Sequence, residues 1–193
     1  MVVTAAAVLA ACGGGGESEP AATEPGTTTE AADPREGYFT SAESEALNPP
    51  LGEFTDAWNA YLESGEACND EAQRLFDGGA SPRRAVRCHL DENRALVDAT
   101  AAIRTALDGV TGEYRDECDA GIERFAGSLE ETETARQQVL DGYERYAESG
   151  TVAPRLQERS TRADELSAAL IDEELVALSA ACYIEEDLQD SEG

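Results

Sequence analysis

Beyond residue 50, apolar side chains recur every three or four positions to near the end of the chain. That spacing places them on one face of an α-helix, and no useful length of this region alternates apolar and polar residues as a half-buried strand does. Short connections between long helices imply antiparallel neighbours. The sequence therefore predicts an all-α fold for residues 51–193, an antiparallel helical bundle of four to five helices.

Glycine, proline and capping residues divide this pattern into separate helices. Gly78-Gly79 ends one helix, and Ser81-Pro82 begins the next, with serine as the N-cap and proline in the first turn. The long fourth helix has a weak centre, since Thr132 and Arg136 occupy positions on its apolar stripe. We predict helices at residues 51–63, 66–77, 82–107, 113–148 and 155–188.

Residues 13–50 differ in composition from the region that follows. They are rich in Gly, Glu, Pro, Thr and Ala, with few large apolar side chains apart from Tyr38, Phe39 and Leu47. Such a stretch cannot bury enough apolar surface to offset the entropy that is lost on ordering. We expect a disordered acidic linker that holds the helical domain away from its attachment point, with Asn48-Pro49-Pro50 at the boundary.

The linker is preceded by MVVTAAAVLAAC, a short apolar run that ends at Cys12. A membrane-spanning helix needs roughly 20 apolar residues, so this run has instead the length of a signal-peptide core. Leu9-Ala10-Ala11-Cys12 resembles the lipobox of bacterial lipoproteins, a class in which signal peptidase II cleaves before a cysteine that carries a diacylglyceryl group. The resemblance implies a signal segment at residues 1–11 and a lipidated Cys12 at the start of a linker over residues 12–50.

The same resemblance implies where the mature protein resides. A lipid on Cys12 would attach the protein to the cell membrane, and the class is displayed on the extracytoplasmic face. Signal segments normally begin with positive charge, but no Lys or Arg precedes the apolar run here. We therefore expect the true start of the protein to lie upstream of Met1.

The chain is strongly acidic. It holds 41 Asp and Glu residues against 14 basic residues, all of them arginine, for a formal net charge of -27. Binding to a phosphate backbone requires a basic surface, so we do not expect nucleic acid as a partner.

The helical domain contains four further cysteines, and an even number in an exported domain predicts two disulfides with three open pairings. Counting residues from the predicted turns places Cys68 opposite about residue 92 of the next helix, close to Cys88. It places Cys118 opposite about residue 185, close to Cys182. The same counting separates Cys88 from Cys118 by roughly 22 Å. A disulfide requires Cα atoms within about 7 Å. We therefore predict Cys68–Cys88 and Cys118–Cys182. A four-cysteine metal site is not expected, because the chain has no CxxC motif.

The sequence offers little for catalysis. His89 is the only histidine and there is a single methionine, which disfavours binding of haem or copper. His89 follows Cys88, but consecutive helical residues point about 100° apart, so we expect His89 to face solvent. No GxSxG motif, phosphate loop, GxGxxG motif or EF-hand loop is found. We predict no enzymatic activity, no cofactor and no metal.

Arginines concentrate near one end of the predicted bundle, where two helices begin and two end. Arginine at a helix N-terminus opposes the helix dipole, so another interaction should favour it there. One interpretation is internal pairing with Asp77, Glu144, Glu148, Glu158 and Glu165. The other is an anion-facing pole, which would meet lipid headgroups, a wall polymer or an acidic partner. The arginines near this end are Arg74, Arg83, Arg84, Arg87, Arg145, Arg155, Arg159 and Arg162, of which all but Arg74 and Arg145 are assigned to the pole.

Together these features predict a non-enzymatic lipoprotein that acts as a binding or scaffolding module at the cell envelope, with an envelope protein or wall polymer as its partner. The alternative is a small-ligand or cation-binding lipoprotein that serves a transporter or sensor. A buried cleft lined by Trp58 and convergent arginines would favour the ligand binder. A filled core and a plain surface would favour the interaction module.

Overall fold

The computed structural model describes residues 36–183, which form an antiparallel bundle of long helices. The helices are α1 (Ser41–Asp77), α2 (Pro82–Ala85), α3 (Arg87–Leu107), α4 (Asp116–Ser149), α5 (Leu156–Ala169) and α6 (Val176–Cys182), and a π-helical segment (Leu170–Leu175) joins α5 to α6. α3 packs against α1 and α4, and α4 also packs against α5 and α6. Between residues 36 and 183 there is no strand, only an isolated bridge between Gly37 and Tyr114. The predicted all-α bundle is confirmed.

The helical domain begins earlier than the predicted boundary at residue 50. α1 starts after Thr40, whose hydroxyl oxygen accepts a hydrogen bond from the Glu43 amide at 3.3 Å, while the Glu43 carboxylate accepts one from the Thr40 amide at 2.8 Å. Phe39 and Leu47 are buried in the core. The linker prediction is therefore wrong for residues 39–50, because two large side chains give this segment enough apolar burial to order it. Residues 12–35 of the predicted linker lie outside the described residues.

Pro49 and Pro50 lie inside α1 and do not mark its start. A proline cannot donate the hydrogen bond to the carbonyl four residues earlier, which usually breaks a helix interior. The two carbonyls affected here belong to Glu45 and Ala46, and both residues are exposed. Water can therefore satisfy these carbonyls, while Leu47 on the opposite side anchors the helix to the core.

Four other predicted helices differ from the structure. The final helix, predicted at 155–188, begins at Leu156, includes the π-helical segment and ends at Cys182, after which Tyr183 has an extended backbone. The separate helices at 51–63 and 66–77 belong to the single helix α1, which continues through residues 64 and 65. The helix at 82–107 is interrupted at Val86, where φ is -103° and ψ is 13°, so it divides into α2 and α3. α4 begins at Asp116 and not at 113, because the amide of Arg115 donates to the Gly37 carbonyl at 3.1 Å.

Polar residues on α4 divide the core into a large and a small apolar cluster. Along α4, Leu129 belongs to the large cluster and Leu140 to the small one, and the buried Thr132 and Arg136 lie between them. The weak stripe positions of the sequence are therefore the polar middle of the core. The small cluster consists of Val86, Leu90 and Leu140, and the large cluster includes Phe54, Trp58, Leu96, Ile103, Phe125 and Leu178.

Both predicted disulfides are confirmed. Cys68 on α1 is joined to Cys88 at the start of α3, with Cα atoms 5.6 Å apart. Cys118 at the start of α4 is joined to Cys182 at the end of α6, with Cα atoms 4.8 Å apart. In the chain-entropy model, loops of 20 and 64 residues correspond to about 3 and about 4 kcal/mol of stabilisation.

The two ends of the bundle differ in which segments meet there. At one end, the Phe39 amide donates to the Cys182 carbonyl at 2.9 Å and Gly37 lies beside Arg115. We call this the entry end, because the chain enters the bundle there. At the other end α4 terminates at Gly150, in the left-handed conformation (φ 68°), next to α2. The 34 residues of α4 separate the two ends by about 50 Å. No helix between residues 36 and 183 is both long and apolar enough to cross a bilayer.

Candidate functional site

The predicted arginines lie at the end opposite the entry end, which we call the arginine end. Arg83 and Arg84 lie on α2, Arg87 begins α3, Arg155 is the N-cap of α5, and Arg159 and Arg162 follow along α5. All six side chains are exposed, as are Arg74 and Arg145. The structure therefore places every arginine of the predicted pole at the surface.

These arginines form two patches, one on each side of α4. Arg155, Arg159 and Arg162 line a groove of about 300 Å³ between α5 and α4, where Ala135 and Gln138 form the α4 wall. On the other patch, Arg83 lines a smaller cavity of about 130 Å³ together with Arg94, Glu144 and Glu148. Three arginines and Glu158 thus line one groove, and the α2 arginines lie apart from them.

Internal pairing accounts for only two of the six pole arginines. Arg155 pairs with Glu158, and Arg162 lies 3.9 Å from Glu131 and 3.7 Å from Glu165. Within residues 36–183, no ion pair is formed by the other four, namely Arg83, Arg84, Arg87 and Arg159. Glu144, one of the expected partners, pairs instead with Arg94. Internal neutralisation is therefore incomplete at this end.

Arg155 also has an unusual backbone. Its φ of 60° and ψ of 25° place it in the left-handed region, the only such non-glycine residue in the described part of the chain. This conformation costs a non-glycine residue of order 1 kcal/mol. It directs the chain from Pro154 into α5 and allows the Arg155 side chain to reach Glu158 in the first helical turn. The turn therefore places Arg155 among the residues that line the α4–α5 groove.

A second polar feature lies inside the bundle, where Arg136 is 0% exposed. Its Nε donates to the Ser167 hydroxyl at 2.9 Å, and its Nη2 lies 2.9 Å from Asp164 Oδ1, a charge contact without hydrogen-bond geometry. Its guanidinium carbon lies 5.1 Å from the Trp58 ring centroid and 4.9 Å from that of Tyr61. Arg136 is thus a buried cation that two aromatic faces and one carboxylate stabilise.

This arrangement leaves Trp58 covered. Trp58 is buried, its ring stacks on Tyr61 with centroids 5.4 Å apart, and Arg136 occupies the space beside both rings. Burial and the nearby charge of Asp164 raise the pKa of Tyr61. The sequence signal for this feature was the position of Arg136 on the apolar stripe of α4. From the sequence alone this position is predicted to be a weakness of the stripe, because arginine is seldom fully buried.

His89 is buried, so the expectation that it faces solvent is wrong. Its ring stacks on Tyr143 with centroids 5.1 Å apart, and its Nδ1 lies 3.5 Å from Glu92 Oε2. Burial lowers the pKa of His89, and the opposing attraction of Glu92 is smaller. Glu92 also accepts a hydrogen bond from the Ser64 hydroxyl and lies with its Oε1 3.0 Å from Cys68 Sγ. A partly buried carboxylate therefore touches one sulfur of a disulfide.

The surroundings of His89 contain cysteine and carboxylate side chains, which are metal-ligand types, but the cysteines are not in the thiolate form that binds a metal. Atoms of Cys68, Cys88 and Glu92 lie within 4.8 Å of one another. The two sulfur atoms are bonded to each other, and metal coordination by cysteine requires thiolates. In the disulfide form these residues do not make a metal centre.

Polar contacts also secure the entry end. The Arg115 guanidinium donates to the Tyr38 hydroxyl at 2.6 Å and to the Ala181 carbonyl at 2.8 Å. The Tyr114 hydroxyl donates to Glu43, and burial together with this bond raises the pKa of Tyr114 to about 12. These contacts fasten the segment before α1 to the start of α4 and to the end of α6.

Cys12 and the lipobox lie outside the described residues, so lipidation stays a prediction. Comparison of the chain with protein-family models, with curated proteins and with solved structures finds no match. Function is therefore inferred from the chain's own sequence and geometry.

Proposed function

We propose that the protein is a lipid-anchored, non-enzymatic binding module of the cell envelope that presents its arginine end to an anionic partner. The lipobox-like Leu9-Ala10-Ala11-Cys12 supports attachment through Cys12 on the extracytoplasmic side. Two disulfides support the same location, because disulfides persist in oxidising compartments.

The observation that carries the binding function is a group of exposed arginines that form no ion pair with another residue of 36–183, namely Arg83, Arg84, Arg87 and Arg159. The chain has nearly three carboxylates for each arginine, so carboxylate partners are abundant. Arginines that the described bundle leaves without such a partner suit external anions, whose carboxylate or phosphate groups match the planar guanidinium fork.

The position of the arginine end favours a wall polymer over lipid headgroups. The chain enters the bundle at the entry end, about 50 Å from the arginine end along α4. The predicted anchor at Cys12 precedes the entry end in the chain, so an attachment through it leads first to that end of the bundle. In this proposal the arginine end is the one offered to the wall, and the net charge of -27 disfavours contact of the rest of the protein with an anionic polymer.

The alternative, a small-ligand or cation binder, receives less support. Its distinguishing feature was a cleft lined by Trp58 and convergent arginines. Arg136 is the arginine that meets Trp58, and it fills the space beside the ring as part of the core. The convergent surface arginines line a different, open groove between α4 and α5. A filled core with a charged end fits an interaction module better.

Two charge-reversal variants with the same change in net charge test the proposal. Arg84→Glu with Arg159→Glu changes one arginine in each patch that forms no ion pair within residues 36–183. Arg104→Glu with Arg124→Glu changes two exposed arginines outside the arginine end, which pair with Glu133 and Glu174. We expect the first pair to weaken binding of the full chain to purified cell-wall sacculi at low salt by at least about tenfold, and the control pair to have little effect. Equal binding by both pairs would refute the proposal. Binding of the full chain to phosphatidylglycerol vesicles but not to sacculi would identify lipid as the partner and refute the wall assignment.

A further inference from the structure

The two disulfides have different surroundings. Cys118 and Cys182 are both 0% exposed and lie in the large apolar cluster. In the other disulfide, Cys68 is 1% exposed, whereas Cys88 is partly exposed at the surface of the bundle. One disulfide is therefore closed to external thiols, and in the other one cysteine, Cys88, reaches the surface.

Cys88 lies near the start of a helix and beside one carboxylate. It is the second residue of α3, immediately after the break at Val86, and the exposed Arg87 precedes it. A carboxylate oxygen of Glu92 lies within 4.8 Å of the Cys88 sulfur atom and opposes its ionisation, whereas a helix N-terminus favours the thiolate. Its partly exposed position makes Cys88 the cysteine of this pair that an external thiol or disulfide can reach.

The buried sulfur has a proton acceptor beside it. Glu92 Oε1 lies 3.0 Å from Cys68 Sγ, and because a disulfide sulfur carries no proton, this contact is not a hydrogen bond in the oxidised form. In the dithiol form the Cys68 thiol would donate to this oxygen. Glu92 Oε2 is buried and accepts no hydrogen bond in the described structure, and Ser64 and His89 hold the carboxylate in place.

We propose that Cys68 and Cys88 form a redox-active pair that exchanges disulfides with extracytoplasmic protein thiols, while Cys118–Cys182 is structural. In the reduced form, the Cys88 thiolate attacks one sulfur of a partner disulfide. The partner S–S bond breaks, one partner thiolate leaves and takes a proton from water, and a mixed disulfide joins the partner to Cys88.

Resolution of the mixed disulfide uses the buried pair. The Cys68 thiol gives its proton to Glu92, and the resulting thiolate attacks Cys88 Sγ. The Cys68–Cys88 bond forms, and the second partner thiolate leaves with the proton from Glu92. Two electrons pass to the partner, whose disulfide becomes a dithiol. The reverse sequence, started by a partner dithiol at Cys88, oxidises that dithiol. This activity does not depend on the binding function of the arginine end.

Differential reduction is the first test. The oxidised full chain is incubated with dithiothreitol, sampled by rapid alkylation, and analysed by mass spectrometry with circular dichroism in parallel. We expect Cys68–Cys88 to be reduced at least about tenfold faster than Cys118–Cys182, with the helical signal retained. Reduction of both disulfides at one rate, or only together with loss of helix, would overturn the proposal.

Single variants of the reduced chain separate the chemical roles, with insulin as the disulfide substrate. Cys68→Ser should trap a mixed disulfide at Cys88, whereas Cys88→Ser should react at least about tenfold more slowly through the buried Cys68. Glu92→Gln should form the mixed disulfide at least as fast as the wild type, because a negative charge near Cys88 is removed, but it should resolve the mixed disulfide more slowly. The exposed neighbouring change Asp91→Asn should leave both steps at the wild-type rate. Equal reactivity of the two cysteine variants, or unchanged resolution in Glu92→Gln, would contradict the assignment.

Discussion

The guanidinium carbon of Arg136 lies 5.1 Å from the centroid of the Trp58 ring, so a charged side chain of α4 covers the aromatic face of α1. Asp164 on α5 completes the contact from the third helix. One buried cation therefore joins three helices at the point where the apolar core is interrupted. Its removal should affect stability more than the loss of any surface ion pair.

Arg136→Ala should lower the free energy of unfolding by about 3 kcal/mol, because it leaves a cavity and removes the partner of a partly buried carboxylate. Asp164 is 37% exposed, which allows water to limit the cost. Arg136→Met fills the same space without charge. It should still lower the free energy of unfolding by about 2 kcal/mol. Urea denaturation measures both, with Arg124→Ala on the same helix as the surface control, expected to change stability by less than about 1 kcal/mol. Equal effects of Arg136→Ala and Arg124→Ala would show that the buried contact contributes nothing.

Phe39→Ala tests the position of the domain boundary. Phe39 packs in the core against Tyr114 and Tyr183, with ring centroids 5.5 and 5.4 Å away. We expect its truncation to lower the free energy of unfolding by about 3 kcal/mol. Val152→Ala, at an exposed loop position, is the control and should be close to neutral. A neutral Phe39→Ala would restore the interpretation of residues 39–50 as a linker.

Loss of the two disulfides should have unequal cost. Replacing Cys118 and Cys182 by alanine opens the larger loop and should lower stability by about 4 kcal/mol, whereas the same change at Cys68 and Cys88 should cost about 3 kcal/mol. Guanidinium denaturation of the two double variants under non-reducing conditions measures the difference. If the Cys68 and Cys88 double variant were the less stable one, the chain-entropy account would not describe this bundle.

Stability should depend on pH through the single histidine. Burial lowers the pKa of His89 in the folded state, so the unfolded chain binds more protons below its pKa of about 6.5. The free energy of unfolding should therefore fall as pH decreases from about 6.5 towards the lower folded-state pKa. His89→Phe preserves stacking on Tyr143 and should remove this component of the pH dependence. The check is thermal unfolding of both proteins between pH 5 and pH 8, and identical profiles would contradict the expectation.

Helix type, bundle class and cysteine pairing were all predictable from the sequence. The apolar spacing that identifies a helix is local, and the helical rise per residue is constant, so counting from short turns locates Cys68 opposite Cys88 and Cys118 opposite Cys182. The same counting located the six pole arginines at one end. These predictions depend on the local spacing of apolar residues and on the rise per residue of a helix, which differ little from one helix to another.

Burial of polar side chains and the true start of the domain were decided only by the tertiary structure. Arg136 is buried because Asp164 and Trp58 contact it from other helices. His89 is buried because Tyr143 stacks on it from another helix. Likewise, α1 continues through two prolines because Leu47 packs in a core that is formed by residues distant in the sequence. Helical spacing shows which side chains share a face, whereas the partners that desolvate and neutralise them come from elsewhere in the chain. The sequence by itself therefore determined the helices and the order of their contacts, and the packed bundle decided which charges are buried and which arginines find a carboxylate within residues 36–183.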